Sequence, residues 1–219
     1  MAAMSLVNPH SLGQMHSLQL GQVMDNADPD HRGRIKVLLH ANQLELWASV
    51  VVPSAGSGYG LACLPRVGEL VVLAFITPEL PMVLGSVWSG HNSAPEEADA
   101  VEDRYIVKTP AGTILDFNDQ DGPSVSLTTP QGYSITITDG SGGEIAIERQ
   151  GQSVKLTSSE VNITSSATVA VNASRVTISA SMVQVDAGMS RFSGVVQADT
   201  VIANAVVGTS YTPGAGNIW

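Results

Sequence analysis

The chain is short of aromatic rings, charge, cysteine and long apolar runs, and each shortage excludes something. Aromatics are 5% and charged residues 14% of 219 residues, while Val, Ser, Thr, Ala and Gly dominate, so a single conventional core filling the whole length is excluded. The length fits one large domain or two modest ones. One cysteine, Cys63, rules out an intramolecular disulfide. No segment reaches the roughly 18 apolar residues of a membrane-spanning helix, and residues 1–18 have neither a basic start nor a continuous apolar run. The expectation is a chain without a signal peptide, made in the cytoplasm. Basic residues are also scarce: 10 Lys plus Arg face 20 Asp plus Glu, a formal charge of -10. Phosphate backbones are repelled by such a balance, which argues against a nucleic-acid partner.

What the sequence has in quantity is a pattern. Between Val125 and Asp186, pairs of apolar residues with one residue between them recur on a small, polar background. They are Val125/Leu127, Ile135/Ile137, Ile145/Ile147, Val154/Leu156, Val161/Ile163, Val169/Val171, Val176/Ile178 and Val183/Val185. Successive pairs start 10, 10, 9, 7, 8, 7 and 7 residues apart. The i, i+2 spacing puts both side chains on one face of a strand, and β-branched residues suit a pleated surface. Runs such as Ser158-Ser159-Glu160 and Asn172-Ala173-Ser174 supply corners between strands. A period of this kind marks a repeat architecture. Burying one Val, Leu or Ile gains roughly 1.5–3 kcal/mol, whereas ordering costs about 1–2 kcal/mol for every residue. Two large apolar residues in seven to ten therefore cannot hold a lone strand, and the repeat must stack. Three repeats would supply one turn of a single-chain β-helix, at about 18–25 residues per turn, and three chains wound together would form the same prism. Composition does not choose between them.

Before the repeat, strand-like segments run through Leu18–Val23, Arg34–Leu39, Leu46–Val52, Gly68–Phe75 and Met82–Trp88, with a turn cluster at 25–30. Gly56, Gly58 and Gly60 read as a mobile loop. Five short strands in some seventy residues, with no helical period, suit a small closed barrel such as an OB-fold. At 93–103 the composition turns abruptly acidic, with five Asp or Glu and no aromatic residue, which reads as a solvated linker. Strands resume at Tyr105–Val107 and Thr113–Leu115.

The run Gly21-Gln22-Val23, Asp25-Asn26, Asp28-Pro29 and Gly33-Arg34-Ile35-Lys36-Val37 resembles the opening barrel strands of the central spikes of contractile injection machines. Trp47-Ala48, Pro53, Gly56 to Gly60, Leu64-Pro65-Arg66-Val67-Gly68-Glu69 and Val83-Leu84-Gly85-Ser86-Val87 continue it, as does Lys108-Thr109-Pro110-Ala111-Gly112 with Leu115-Asp116-Phe117-Asn118-Asp119. That family includes baseplate assembly protein V of contractile phages, R-type pyocin spikes and the VgrG spikes of type VI secretion. The resemblance covers about Leu18 to the C-terminus.

It implies an all-β homotrimer: an N-terminal OB-fold barrel followed by an intertwined triple-stranded β-helix, the three-chain version of the prism. The apolar pairs above would be its core. Strands about 4.8 Å apart would make a stiff shaft on the order of 40–50 Å, with interchain hydrogen bonds and no open edge along it. The corresponding divisions are a lead-in at 1–15, an OB-fold domain at 16–92, an acidic linker and first strand at 93–109, a shaft at 110–190 and a tip region at 191–219. The implied partners are a baseplate hub or tube protein at the barrel end and a target outer membrane, pierced mechanically. The protein would be assembled into a virion baseplate, a tailocin or another injection device. No cofactor and no catalytic residue is implied. Some relatives end in a His-x-His iron tip, but all five histidines here, His10, His16, His31, His40 and His91, precede the shaft. Tyr211, Ile218 and Trp219 are instead expected to face a separate tip protein of the PAAR type.

Other motifs read as structure. Gly56-Ser57-Gly58-Tyr59-Gly60 has no following helix to cradle a phosphate. Asp30-His31-Arg32 lacks a nucleophile and an orienting partner, and reads as an exposed turn. Asp116 to Gly122 has the acidity of a calcium loop, but its glycine falls one place late and no bidentate glutamate follows on schedule. Trp47, Phe75 and Trp88 are assigned to core or subunit packing, not to base stacking. Two rival functions share the strand pattern. A β-helical glycan-binding or depolymerising tail protein would cluster Asp, Glu and Tyr at its corners, and an OB-fold single-strand binder would not be so acidic.

Overall fold

The computed structural model describes residues 18–90, 93–98, 102–140 and 142–210, which fall into two compact units, Met1–Val169 and Ala170–Trp219. The first unit begins with a closed barrel of β1 (Gln19–Asp25), β2 (Arg34–Leu39), β3 (Glu45–Val50), β6 (Leu70–Thr77) and β7 (Leu80–Val87), in the order β1-β2-β3-β7-β6. All neighbours are antiparallel except β3 and β7, which run parallel. This five-stranded closure is that of an OB-like barrel. Alternation explains its core: Ile35, Val37 and Leu39 on β2 and Val71, Leu73 and Phe75 on β6 point inward with Val23, Ala48 and Val83.

Closure needs β1 to pair on both sides at once, with Leu39 and Val71 both opposite Gly21. A Cβ at Gly21 would run into Val37 Cγ1 and come within 3.1 Å of Leu73 Cδ1. Only glycine lets the two strands approach here.

Two expectations for the barrel change. The third strand ends at Val50, because Val51 N donates to Val83 O and the chain then turns away at Pro53. The glycine-rich segment is ordered as a small hairpin, β4 (Ala55–Gly56) with β5 (Tyr59–Gly60). Gly58, at φ 80°, supplies the left-handed residue that the turn requires.

After a single 3-10 turn at Glu96–Ala98, seven strands form an antiparallel meander in chain order: β8 (Arg104–Lys108), β9 (Ile114–Asn118), β10 (Ser124–Thr128), β11 (Ser134–Thr138), β12 (Glu144–Arg149), β13 (Gln152–Leu156) and β14 (Val161–Ser165). Their backbone hydrogen bonds are made within one chain, where the sequence reading expected neighbours from other copies. Four- and five-residue loops and one two-residue turn are enough to fold each strand back on the last.

Beyond β14 the pattern continues but the strands do not. Val169/Val171, Val176/Ile178 and Val183/Val185 lie outside any strand, because no strand among the described residues pairs with them. Within the second unit every described residue, 170–210, is exposed, and none makes a backbone–backbone hydrogen bond. A Gln184 Nε2 to Asp186 Oδ2 bond of 2.7 Å is its one side-chain hydrogen bond among the described residues.

Candidate self-association face

The register of the meander sorts its side chains into two straight rows. In the first, Val107, Leu115, Leu127, Ile135, Ile147, Val154 and Ile163 stand opposite one another across the seven strands. In the second stand Tyr105, Phe117, Val125, Ile137, Ile145, Leu156 and Val161. Each row spans about 29 Å at roughly 4.8 Å per strand. Both rows lie on one face, since their members are two residues apart on each strand.

That face is open. Its members are half-buried to exposed, with Leu156 at 38% and Tyr105 at 69%. Fourteen large apolar side chains in two unbroken rows exceed what a lone soluble domain leaves uncovered. Ten of the sixteen core residues expected from the repeat are thereby brought together; the other six, from Val169 to Val185, lie after the meander. Tyr105, Val107, Leu115 and Phe117 extend the rows and were not among the expected core residues, although Tyr105-x-Val107 and Leu115-x-Phe117 show the same spacing.

The opposite face is mostly polar, with Ile106, Ile114 and Ala146 among its members, and it carries ion pairs. Asp116 is buried and accepts from Arg104 Nε at 2.9 Å and Nη2 at 2.6 Å, a two-pronged pair that raises the pKa of Arg104. Lys155 reaches Glu148 at 2.7 Å and Glu144 at 3.7 Å, and these carboxylates raise its pKa, Glu148 foremost. Asp116 is thus paired with the Arg104 guanidinium, and Asn118 Oδ1 caps the following turn by accepting from Gln120 N.

The barrel turn at 25–34 is built the same way. Asp28 accepts from the backbone N–H groups of Asp30, Arg32 and Arg34 and from the Arg34 guanidinium, which holds its carboxyl well below the usual carboxylate range. His31 sits exposed at φ 52°, a turn position rather than a catalytic one. Phe75 is inside the barrel, Trp47 lies beneath Arg34 with 5.7 Å to its ring centroid, and Trp88 is exposed. The three therefore share no stacking platform. Among the described residues no group of three or more His, Cys, Asp or Glu side chains could hold a metal ion. Tyr211, Ile218 and Trp219, the expected tip contacts, lie outside the described residues.

Comparison with known proteins bears on the barrel. The chain is similar to the type VI secretion system spike protein VgrG4b of Pseudomonas aeruginosa, 29% identical over 110 residues, which is 46% of this chain and 14% of that protein. Similarity to VgrG5 of the same organism is 28% over 110 residues, again 46% and 14% of the two chains. To VgrG3 of Vibrio cholerae it is 26% over 137 residues, 56% of this chain and 14% of that protein. The chain thus spans a small part of the length of these curated relatives. Residues 19–88, the span of the closed barrel and its hairpin, match the family described as the type VI secretion system/phage-baseplate injector OB domain.

Proposed function

We propose that this protein is a structural, non-enzymatic spike of a contractile injection particle, working as a homotrimer. The observation that carries the reading is the open apolar face of the meander, followed by a segment whose backbone finds no partner among the described residues. Three meanders facing one another bury six apolar rows in a common core. The Val169-to-Val185 pairs then take their hydrogen bonds from the other two copies as an intertwined triple-stranded β-helix. The match of the barrel to injector OB domains supplies the context.

On this reading the divisions at 1–15, 16–92, 93–109, 110–190 and 191–219 are lead-in, barrel, linker, shaft and tip. The barrel end and lead-in attach to a hub or tube protein. The shaft points outward, and Tyr211, Ile218 and Trp219 meet a tip protein of the PAAR type. The work is mechanical: contraction of a surrounding sheath pushes the shaft through an outer membrane. The chain is made in the bacterial cytoplasm and joins the particle there.

Sedimentation and native mass measurement of the full chain test this, with and without a candidate tip protein. Three copies are expected, and a monomer at micromolar concentration overturns the reading. Val171→Asp and Ile178→Asp are expected to prevent assembly of the intertwined part, because each trimer would bury three unpaired carboxylates.

A further inference from the structure

The outside of the barrel has a more polar half and a more apolar half. On β2 and β3 most outward residues are charged or polar, Leu38 excepted: Lys36 pairs with Glu45 at 2.6 Å, and Arg34 lies over the Trp47 ring. On β6 they are apolar, and β1 adds Leu20 to that side while its outward Gln22, opposite Leu70, is polar. Leu20 stands opposite Val72, and Leu70, Ala74 and Ile76 continue the outward positions of β6, which is apolar on both sides from Leu70 to Ile76. A strand with one wet face alternates; a strand without alternation is covered on both faces. Here Leu20 is 49% exposed and Ile76 more so. Glu79, in the turn after β6, is exposed beside this face, and its carboxylate has no ion pair among the described residues.

A second apolar patch lies on the β4–β5 hairpin. Tyr59, at 71% exposure, shares a shallow depression with Leu61, Leu64, Val50 and Val52. Arg32 lines the same depression, and its guanidinium also has no ion pair among the described residues. The barrel therefore carries two different apolar patches, one bordered by a spare carboxylate and the other by a spare guanidinium.

Copies related by a twofold axis press one patch against itself, whereas three copies around a threefold axis need one patch on each to meet a different patch on the next. We infer that the barrels form such a ring, the Leu20/Val72 face of one copy seated on the Tyr59/Leu61 hairpin of its neighbour, with Glu79 facing Arg32 across the junction. This rests on the three-copy reading above. Attachment to the hub is then left to the ends of the ring and not to these side faces.

Cys63, exposed between Leu61 and Leu64, is a native probe of the hairpin patch. In the full-length chain, Leu20→Cys places a second thiol on the opposite patch, and a short bismaleimide reports whether they meet. Lys36→Cys on the polar half is the control, and the unchanged chain gives the Cys63 background. The expected result is covalently linked three-chain species for L20C, at least about tenfold above the control, because facing thiols have a high effective concentration. Glu79→Arg is expected to lower that yield, and adding Arg32→Glu to restore it. A sedimenting trimer in which L20C links no better than K36C overturns the ring and leaves the three-copy reading standing. A monomer overturns both.

Discussion

The Asp28 carboxylate receives Nε of Arg34 at 3.0 Å and Nη2 at 2.8 Å while also accepting three backbone N–H groups of its own turn. This fixes the connection from β1 to β2 by acceptance alone, so it depends on ionisation. A carboxyl whose pKa is lower folded than unfolded binds fewer protons when folded, and stability then rises with pH. Its contribution is complete above the unfolded value, near 3.9, and is lost as pH falls through that value toward the depressed one. Denaturant midpoints of the wild type are expected to drop below about pH 4, and those of Asp28→Asn to start lower at neutral pH and change less. Parallel profiles for the two proteins would assign the acid sensitivity elsewhere.

Gly21 should tolerate no side chain. Ala at this position drives a methyl group into Val37 and Leu73, at a cost of roughly 1–3 kcal/mol by overpacking. Gly85, where nothing would meet an added Cβ, is the comparison site on β7. Thermal or denaturant unfolding of both alanine variants checks this, with G21A expected to be clearly the weaker.

The two halves of the repeat should separate in hydrogen exchange. In a Val171→Asp variant held as a monomer, amides of β1 to β14 that bond within the chain are expected to remain protected. Amides of 170–210, which have no backbone partner among the described residues, should exchange at open-chain rates. In the wild-type assembly the same amides should become slow. Protection of 170–210 in the monomer would show that this segment completes its own hydrogen bonds.

A charge on the open face should act on association before folding. Ile147→Lys places an ammonium in the middle of the first row, on a side chain half exposed in the single chain. We expect unchanged β-sheet circular dichroism with loss of the trimer in sedimentation, since the unpaired charge is buried only on assembly.

Much of the barrel was legible in the sequence. Arg34-Ile35-Lys36-Val37 alternates as its burial does, and the paired apolar spacing from Val125 to Ile163 places both members of each pair on one face of the meander. The identity of the partner strand was not legible, because i, i+2 spacing fixes a face and says nothing about which chain lies alongside. Glycines at 56, 58 and 60 suggested mobility, whereas Gly58 is the left-handed residue of a hairpin and Gly56 leaves room for the Tyr59 ring against it. Tyr105 and Phe117 complete the second row, and the same ten-residue step runs from Tyr105 through Leu115 to Val125, a signal that the sequence carries upstream of the stretch from which the core residues were expected.

The two edges of the meander are not equivalent. Next to β8 lies the 3-10 turn, with Lys108 of the edge strand tied to Glu97 at 2.5 Å, while among the described residues no strand flanks β14 on its far side. Unpaired strand edges recruit further strands, and guarded ones do not. The sheet therefore has a direction of growth: any strand added to it, from this chain or another, joins past β14. Such a template can be lengthened or shortened over evolutionary time by adding or deleting seven-residue repeats at one end without disturbing the barrel at the other.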